Sequence, residues 1–106
     1  MKNGGPALIY RFINTKQGFG SDSHVVLFAM NGCPHCTNTL PAFIAASKRS
    51  RVPMYVIDDT TVAGRKKIEA EDVTAFPTII GFKQGSKKLY EGDRSVASFL
   101  AFSQNL

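Results

Sequence analysis

Val25-Val26-Leu27-Phe28-Ala29-Met30-Asn31-Gly32-Cys33-Pro34-His35-Cys36 is the stretch on which the reading of this chain turns. Its first six residues form a continuous apolar run of strand length, as expected of a central strand buried on both faces. Asn31-Gly32 breaks the run. Pro34 suits the first turn of a helix, where its missing N–H is not needed. Cysteines three positions apart at a helix start lie within about one turn of each other, so their Cα atoms can fall in the ~4.4–6.8 Å window of a disulfide. Cys33 takes the N-cap or first-turn position, beside unpaired N–H groups and the positive end of the helix dipole. These stabilise a thiolate, which is the attacking species. Cys36 sits deeper in the turn. On this geometry Cys33 attacks a disulfide and Cys36 resolves the mixed disulfide that forms.

Pro34 and His35 tune that pair. A protonated His35 imidazole adds to the helix dipole, lowers the Cys33 pKa, favours the reduced form and makes the disulfide a stronger oxidant. Helix-start pairs of this kind span thiol pKa values from ~3.5 to ~7 and potentials from about −120 to about −270 mV. Across two electrons that range is worth roughly 7 kcal/mol, so the intervening dipeptide matters greatly.

Outward from the pair, a helix is expected over about Pro34–Ser50. Leu40, Phe43, Ile44 and Ala45 recur at helical spacing, Lys48 and Arg49 complement the dipole, and Pro41 should kink it. Val52–Ile57 reads as a second buried strand. Thr60 or Thr61 can cap a short helix reaching about Ala70. Beyond Pro77, Thr78–Lys83 forms a strand, Gln84-Gly85 a turn, and Lys87–Glu91 an antiparallel edge. Ser95 can cap a last helix with Val96, Phe99 and Leu100 towards the sheet. Upstream, Ala7–Ile13 reads as an edge strand or a short helix, the strand being preferred, and Asn14–Ser23 as a loop or a frayed turn. The order implies an α/β sandwich around a mixed sheet.

The 106 residues, 43% of them hydrophobic, suit a single domain over 1–106, with 1–6 as a flexible lead-in. The longest apolar stretch is far below the ~20 residues that span a bilayer, so no membrane is expected as a partner. Met1–Gly5 has no apolar signal-peptide core, which points to the cytoplasm or to the mature form of an exported protein. The net charge of +5 is dispersed in short clusters beside acidic residues, a pattern of solvated surface with no base-reading motif. No specific nucleic acid is expected, and the chain reads as a monomer. Two cysteines are too few for a disulfide scaffold. As half of a zinc site they would have only His24 and His35 to complete four ligands, so no metal is expected. His24 reads as a loop residue and Met30 as core.

The chain resembles the thioredoxin superfamily, most clearly over Val25–Leu106. The carrying residues are the strand leading to Cys33-Pro34-His35-Cys36, then Pro41, then Phe76-Pro77-Thr78. Ile79–Gly85 and Tyr90-Glu91-Gly92-Asp93-Arg94-Ser95 complete the set. The resemblance implies a thioredoxin fold, a three-layer sandwich with a central mixed sheet flanked by helices. It implies that Pro77 is the family's cis-proline, packed against the cysteines, and that Phe76 offers its backbone to an extended substrate. The hairpin is similar to thioredoxin and protein disulfide isomerase domains, and Pro34-His35 to DsbA-type oxidants. Gly32 stands where most thioredoxins have tryptophan, and Leu27 where the family carries a buried acid. The implied activity is protein thiol–disulfide exchange, with no cofactor beyond the cysteine pair. Its partners would be cysteine-bearing proteins and an unidentified redox protein that recycles the pair. Two alternatives stay open: a glutathione-dependent, glutaredoxin-like enzyme, and a non-catalytic binding or assembly module on the same fold.

Overall fold

The structure, a computed structural model, describes residues 23–106. The strand expected at Ala7–Ile13, the lead-in at 1–6 and nearly all of the loop expected at Asn14–Ser23 lie outside the described residues. In chain order the elements are β1 (Ser23–Phe28), α1 (Pro34–Arg49), β2 (Met54–Ile57), α2 (Val62–Ala70), β3 (Thr78–Lys83), β4 (Ser86–Leu89) and α3 (Val96–Gln104). The strands lie in the order β2-β1-β3-β4. β1 runs parallel to β2, across the α1 connection, and antiparallel to β3, which pairs antiparallel with β4. The sheet is therefore mixed, and β1 is one of its two central strands. Val25 to Phe28 are almost completely buried, as a two-sided apolar run requires.

Side-chain alternation assigns the helices to faces. A Cβ on Gly81 would meet Leu106 Cδ2 at 2.5 Å and the Phe102 ring at 3.0 Å, so this face of β3 lies against α3. Phe82 points the other way and carries the Lys67 ammonium of α2 5.3 Å from its ring centroid. α1 joins α3, with the Phe43 and Phe99 rings edge-to-face at 5.6 Å. One layer is thus α1 with α3, the sheet is the second, and α2 is the third. Capping residues start the helices as their chemistry demands. The Thr61 hydroxyl accepts from the Gly64 N–H at 2.9 Å, and the Ser95 hydroxyl from the Ser98 N–H at 3.1 Å. Gln84 (φ 48°) and Gly85 (φ 85°) form the two-residue hairpin turn, a shape that needs positive φ at both positions.

Several boundaries differ from the sequence reading. β1 occupies Ser23–Phe28 rather than Val25–Met30. The last bond from this strand to its parallel neighbour is Ala29 N–H to Ile57 O, after which the chain leaves the sheet to reach the helix start. Met30, expected in the core, is consequently 44% exposed beside the cysteines. His24, expected in a loop, lies within β1 opposite Phe82, buried with its ring stacked on that ring at 4.9 Å. β2 begins at Met54 rather than Val52, and β4 ends at Leu89 rather than Glu91, whereas α1 runs through Pro41 over nearly the expected range. Pro41 has no N–H to give, so the Thr37 carbonyl one turn back gains no helical bond there.

Candidate active site

Cys33 is the N-cap of α1, with extended dihedrals (φ −86°, ψ 112°), and Pro34 is the first helical residue. An N-cap side chain normally offers oxygen to an unpaired N–H of the first turn. Here sulfur takes that place, and the Cys36 N–H donates to Cys33 Sγ at 3.2 Å. The approach is set by Gly32, whose φ of +83° is open to glycine and strained for other residues. The Cys33 N–H bonds back to the Met30 carbonyl at 3.1 Å, and the Asn31 N–H to Asp59 Oδ1 at 2.9 Å. This second bond ties the loop to the segment between β2 and α2. Cys36 is buried at 3% exposure, while Cys33 is half-buried and both flanking residues of the dipeptide, Pro34 and His35, are exposed.

The two sulfurs are driven apart in acidity. Cys33 is held below the ordinary thiol value, first by the hydrogen bond from the Cys36 thiol. Partial burial opposes this; the main-chain N–H groups of Cys36 and His35 and the charge of Arg94 reinforce it. Cys36 is pushed up to about 11, chiefly by burial and next by its bond to Cys33. A helix-start sulfur surrounded by donors ionises more readily than an ordinary thiol, and a buried one beneath it less readily. His35 acts on Cys33 through its main-chain N–H. Leu27, fully buried, aligns with Ile79 on the α1–α3 face of the sheet.

Across the cleft stands a second wall. The Cys33 thiol donates to the Phe76 carbonyl at 3.8 Å, bridging 43 residues of sequence, and the Phe76–Pro77 peptide is cis. Phe76 and Pro77 are half-buried. A groove of about 230 Å³ is lined by Pro77, Thr78 and Ile79 from one segment and by Leu89, Tyr90, Gly92 and Arg94 from another. The sequence brings Cys33, Cys36, Phe76 and Pro77 to one place as expected. Arg94 stands in the sequence only as part of the Tyr90-x-Gly92-x-Arg94 pattern, and Asp59 as one of two acidic residues that follow the second strand. Nothing in their local sequence announces a contact with the cysteine loop. Among the described residues no group of three or more His, Cys, Asp or Glu side chains is placed to hold a metal ion.

The thioredoxin family model matches residues 13–105. The chain belongs to the thioredoxin family. Among solved structures it is similar to the J-Trx1 fragment of ERdj5, at 25% identity and a TM-score of 0.69, covering 79% of this chain and 42% of that one. Thioredoxin O2 from Arabidopsis thaliana in its oxidised state is similar at 26% identity and a TM-score of 0.65, over 87% of this chain and 81% of that one. Thioredoxin from Aeropyrum pernix shares the fold, with a TM-score of 0.66 at 21% identity over 78% and 73% of the two chains. The chain thus spans less than half of the ERdj5 fragment but most of the two thioredoxins. No curated protein matches it. Family members of this fold with a Cys-x-x-Cys pair are usually thiol–disulfide oxidoreductases, which sets the class of chemistry to consider for this thioredoxin-family chain.

Proposed function

We propose that the chain is a protein thiol–disulfide oxidoreductase in which Cys33 attacks and Cys36 resolves. The observation that carries this is geometric: Cys33 caps α1 with its sulfur accepting the Cys36 N–H at 3.2 Å, and Cys36 lies buried one helical turn below it. The Cys33 thiolate attacks one sulfur of a substrate disulfide, a sulfur–sulfur bond forms to Cys33, and the other substrate sulfur leaves as a thiolate that takes a proton. Cys36 then gives up its proton and attacks Cys33 Sγ, which expels the second substrate sulfur as a thiol. Two electrons have passed to the substrate and the Cys33–Cys36 disulfide remains. The same steps reversed oxidise a substrate dithiol. No cofactor is needed, because the cysteine pair is the carrier; a separate redox partner restores it between turnovers.

Phe76 and Pro77 form the rest beside which the substrate segment lies, with the Phe76 carbonyl 3.8 Å from the attacking sulfur. Two features favour the oxidising direction: the Pro34-His35 dipeptide, which resembles that of DsbA-type oxidants, and Leu27 in place of a buried proton acceptor. The function is tested with Cys33→Ser and Cys36→Ser against a disulfide-bonded protein substrate. Cys33→Ser should abolish turnover, and Cys36→Ser should accumulate a covalent mixed disulfide visible on a non-reducing gel. Turnover retained by Cys33→Ser would overturn the assignment. An equilibrium reduction potential then sets the direction, near about −120 mV for an oxidant and about −270 mV for a reductant.

A further inference from the structure

We infer that the groove between Pro77 and Arg94 is a specificity site for an acidic side chain on the extended, cysteine-bearing segment of a protein substrate. This rests on the oxidoreductase reading and names the substrate class for the same site. The groove exists because the two strands of the edge hairpin differ in length. β3 begins at Thr78 and is paired with β1 from its first residue, whereas β4 pairs only with Ile80 to Lys83, so the start of β3 is open on its outer edge. After Leu89 the chain gives one more bond, Tyr90 N–H to Ile79 O at 2.9 Å, and then turns away. The opening left behind holds about 230 Å³, room for a side chain rather than a folded partner, and it starts at the proline next to the Cys33 contact.

Its walls are mostly apolar or uncharged, and Arg94 is the one charged residue lining it. Arg94 is exposed, and among the described residues the ion pairs are Lys67–Glu71 and Lys87–Glu71, which leaves its guanidinium without a carboxylate. The acidic neighbours do not neutralise it. Asp93 is engaged by Ser95, accepting from its hydroxyl at 2.7 Å and its N–H at 3.1 Å. Glu91 is exposed and does not line the groove. The loop is also held in place. Tyr90 donates its hydroxyl to the Asp93 carbonyl, and its ring packs edge-on to Phe102 at 5.1 Å. Gly92 has no side chain because a Cβ there would lie 2.6 Å from the Tyr90 hydroxyl oxygen. A cation without a carboxylate among the described residues, lining a groove that also includes the proline next to the Cys33 contact, is a receptor for an anion on the bound chain. Guanidinium and carboxylate form the matched, forked pair.

The test uses synthetic peptides, each closed by one disulfide and identical except for Glu, Gln or Lys next to the reacting cysteine. Reduced protein is mixed with each peptide in a single turnover and the rate of peptide opening is followed. The wild-type chain should open the Glu peptide about fivefold faster than the Gln peptide, the size expected of a partly exposed ion pair, and the ratio should shrink with added salt. Arg94→Gln should bring the ratio to about one, Arg94→Lys should keep most of it, and Arg94→Glu should favour the Lys peptide. Any effect of Arg94 on the sulfur itself is common to all peptides and cancels in the ratio. Normal rates without a Glu preference, or a preference that survives in Arg94→Gln, overturn the inference and leave the oxidoreductase reading intact. Failure to open any peptide removes that reading and this inference with it.

Discussion

The wall of the cleft from Met30 to Cys36 is a run of neighbours in sequence, made when β1 leaves the sheet and α1 begins. The facing wall is gathered from Phe76–Thr78 and Tyr90–Arg94 and meets the first through one long-range contact, Cys33 with the Phe76 carbonyl. The first wall supplies reactivity, because its N–H groups act on sulfur at short range and need only a helix start. The second supplies shape and charge, which need the whole sheet to be in place. Apart from the charge of Arg94, which reaches the sulfurs from the second wall, chemistry and recognition are built from different segments, so each wall can be perturbed in turn.

The sharpest test of the first wall is selective alkylation of the reduced protein. At pH 7 a thiol with a pKa of about 11 is ionised to about 10⁻⁴, whereas an ordinary thiol is ionised to a few per cent. Cys33, lowered further, should outpace Cys36 by at least about a hundredfold with iodoacetamide, read by peptide mass spectrometry. The Cys33 rate should rise with pH and level off earlier than for free cysteine, since a lowered pKa shifts the thiolate fraction to lower pH. Equal labelling of the two would erase the acidity split.

A smaller effect is expected where the first wall is anchored. A Cβ on Gly64 would lie 1.9 Å from the Asp58 carbonyl oxygen, at the seam that leads to Asp59 and its bond to the Asn31 N–H. Gly64→Ala should cost about 1–3 kcal/mol by urea denaturation, as overpacking against backbone does. A cost below about 0.5 kcal/mol would show that the seam opens freely. The smallest effect belongs to the second wall. Tyr90→Phe loses the bond to the Asp93 carbonyl and should cost about 1 kcal/mol, with the Cys33 alkylation rate nearly unchanged. A large drop in that rate would mean the two walls are coupled after all.

This contrast also explains what the sequence made legible. Helix caps at Thr61 and Ser95, the Gln84-Gly85 turn and the cysteine pair are short-range patterns with one dominant physical solution, and the structure has them at those positions. His24 and Met30 were misplaced because an apolar run does not mark where its ladder ends. That end is fixed by pairing with Ile57 and Thr78, residues far along the chain. Arg94 and Asp59 escaped for the same reason, since their part in the site comes from chain segments brought together only by folding.

One detail of α1 carries a mechanical consequence. Both cysteines lie before Pro41, with Cys36 and Thr39 buried on that side, while the ring contact of α1 with α3, Phe43 on Phe99, lies after it. The missing N–H at Pro41 removes one rung from the hydrogen-bond ladder between the redox turn and that contact, so bending of α1 is expected to concentrate there and to spare the Phe43–Phe99 contact when the sulfurs move.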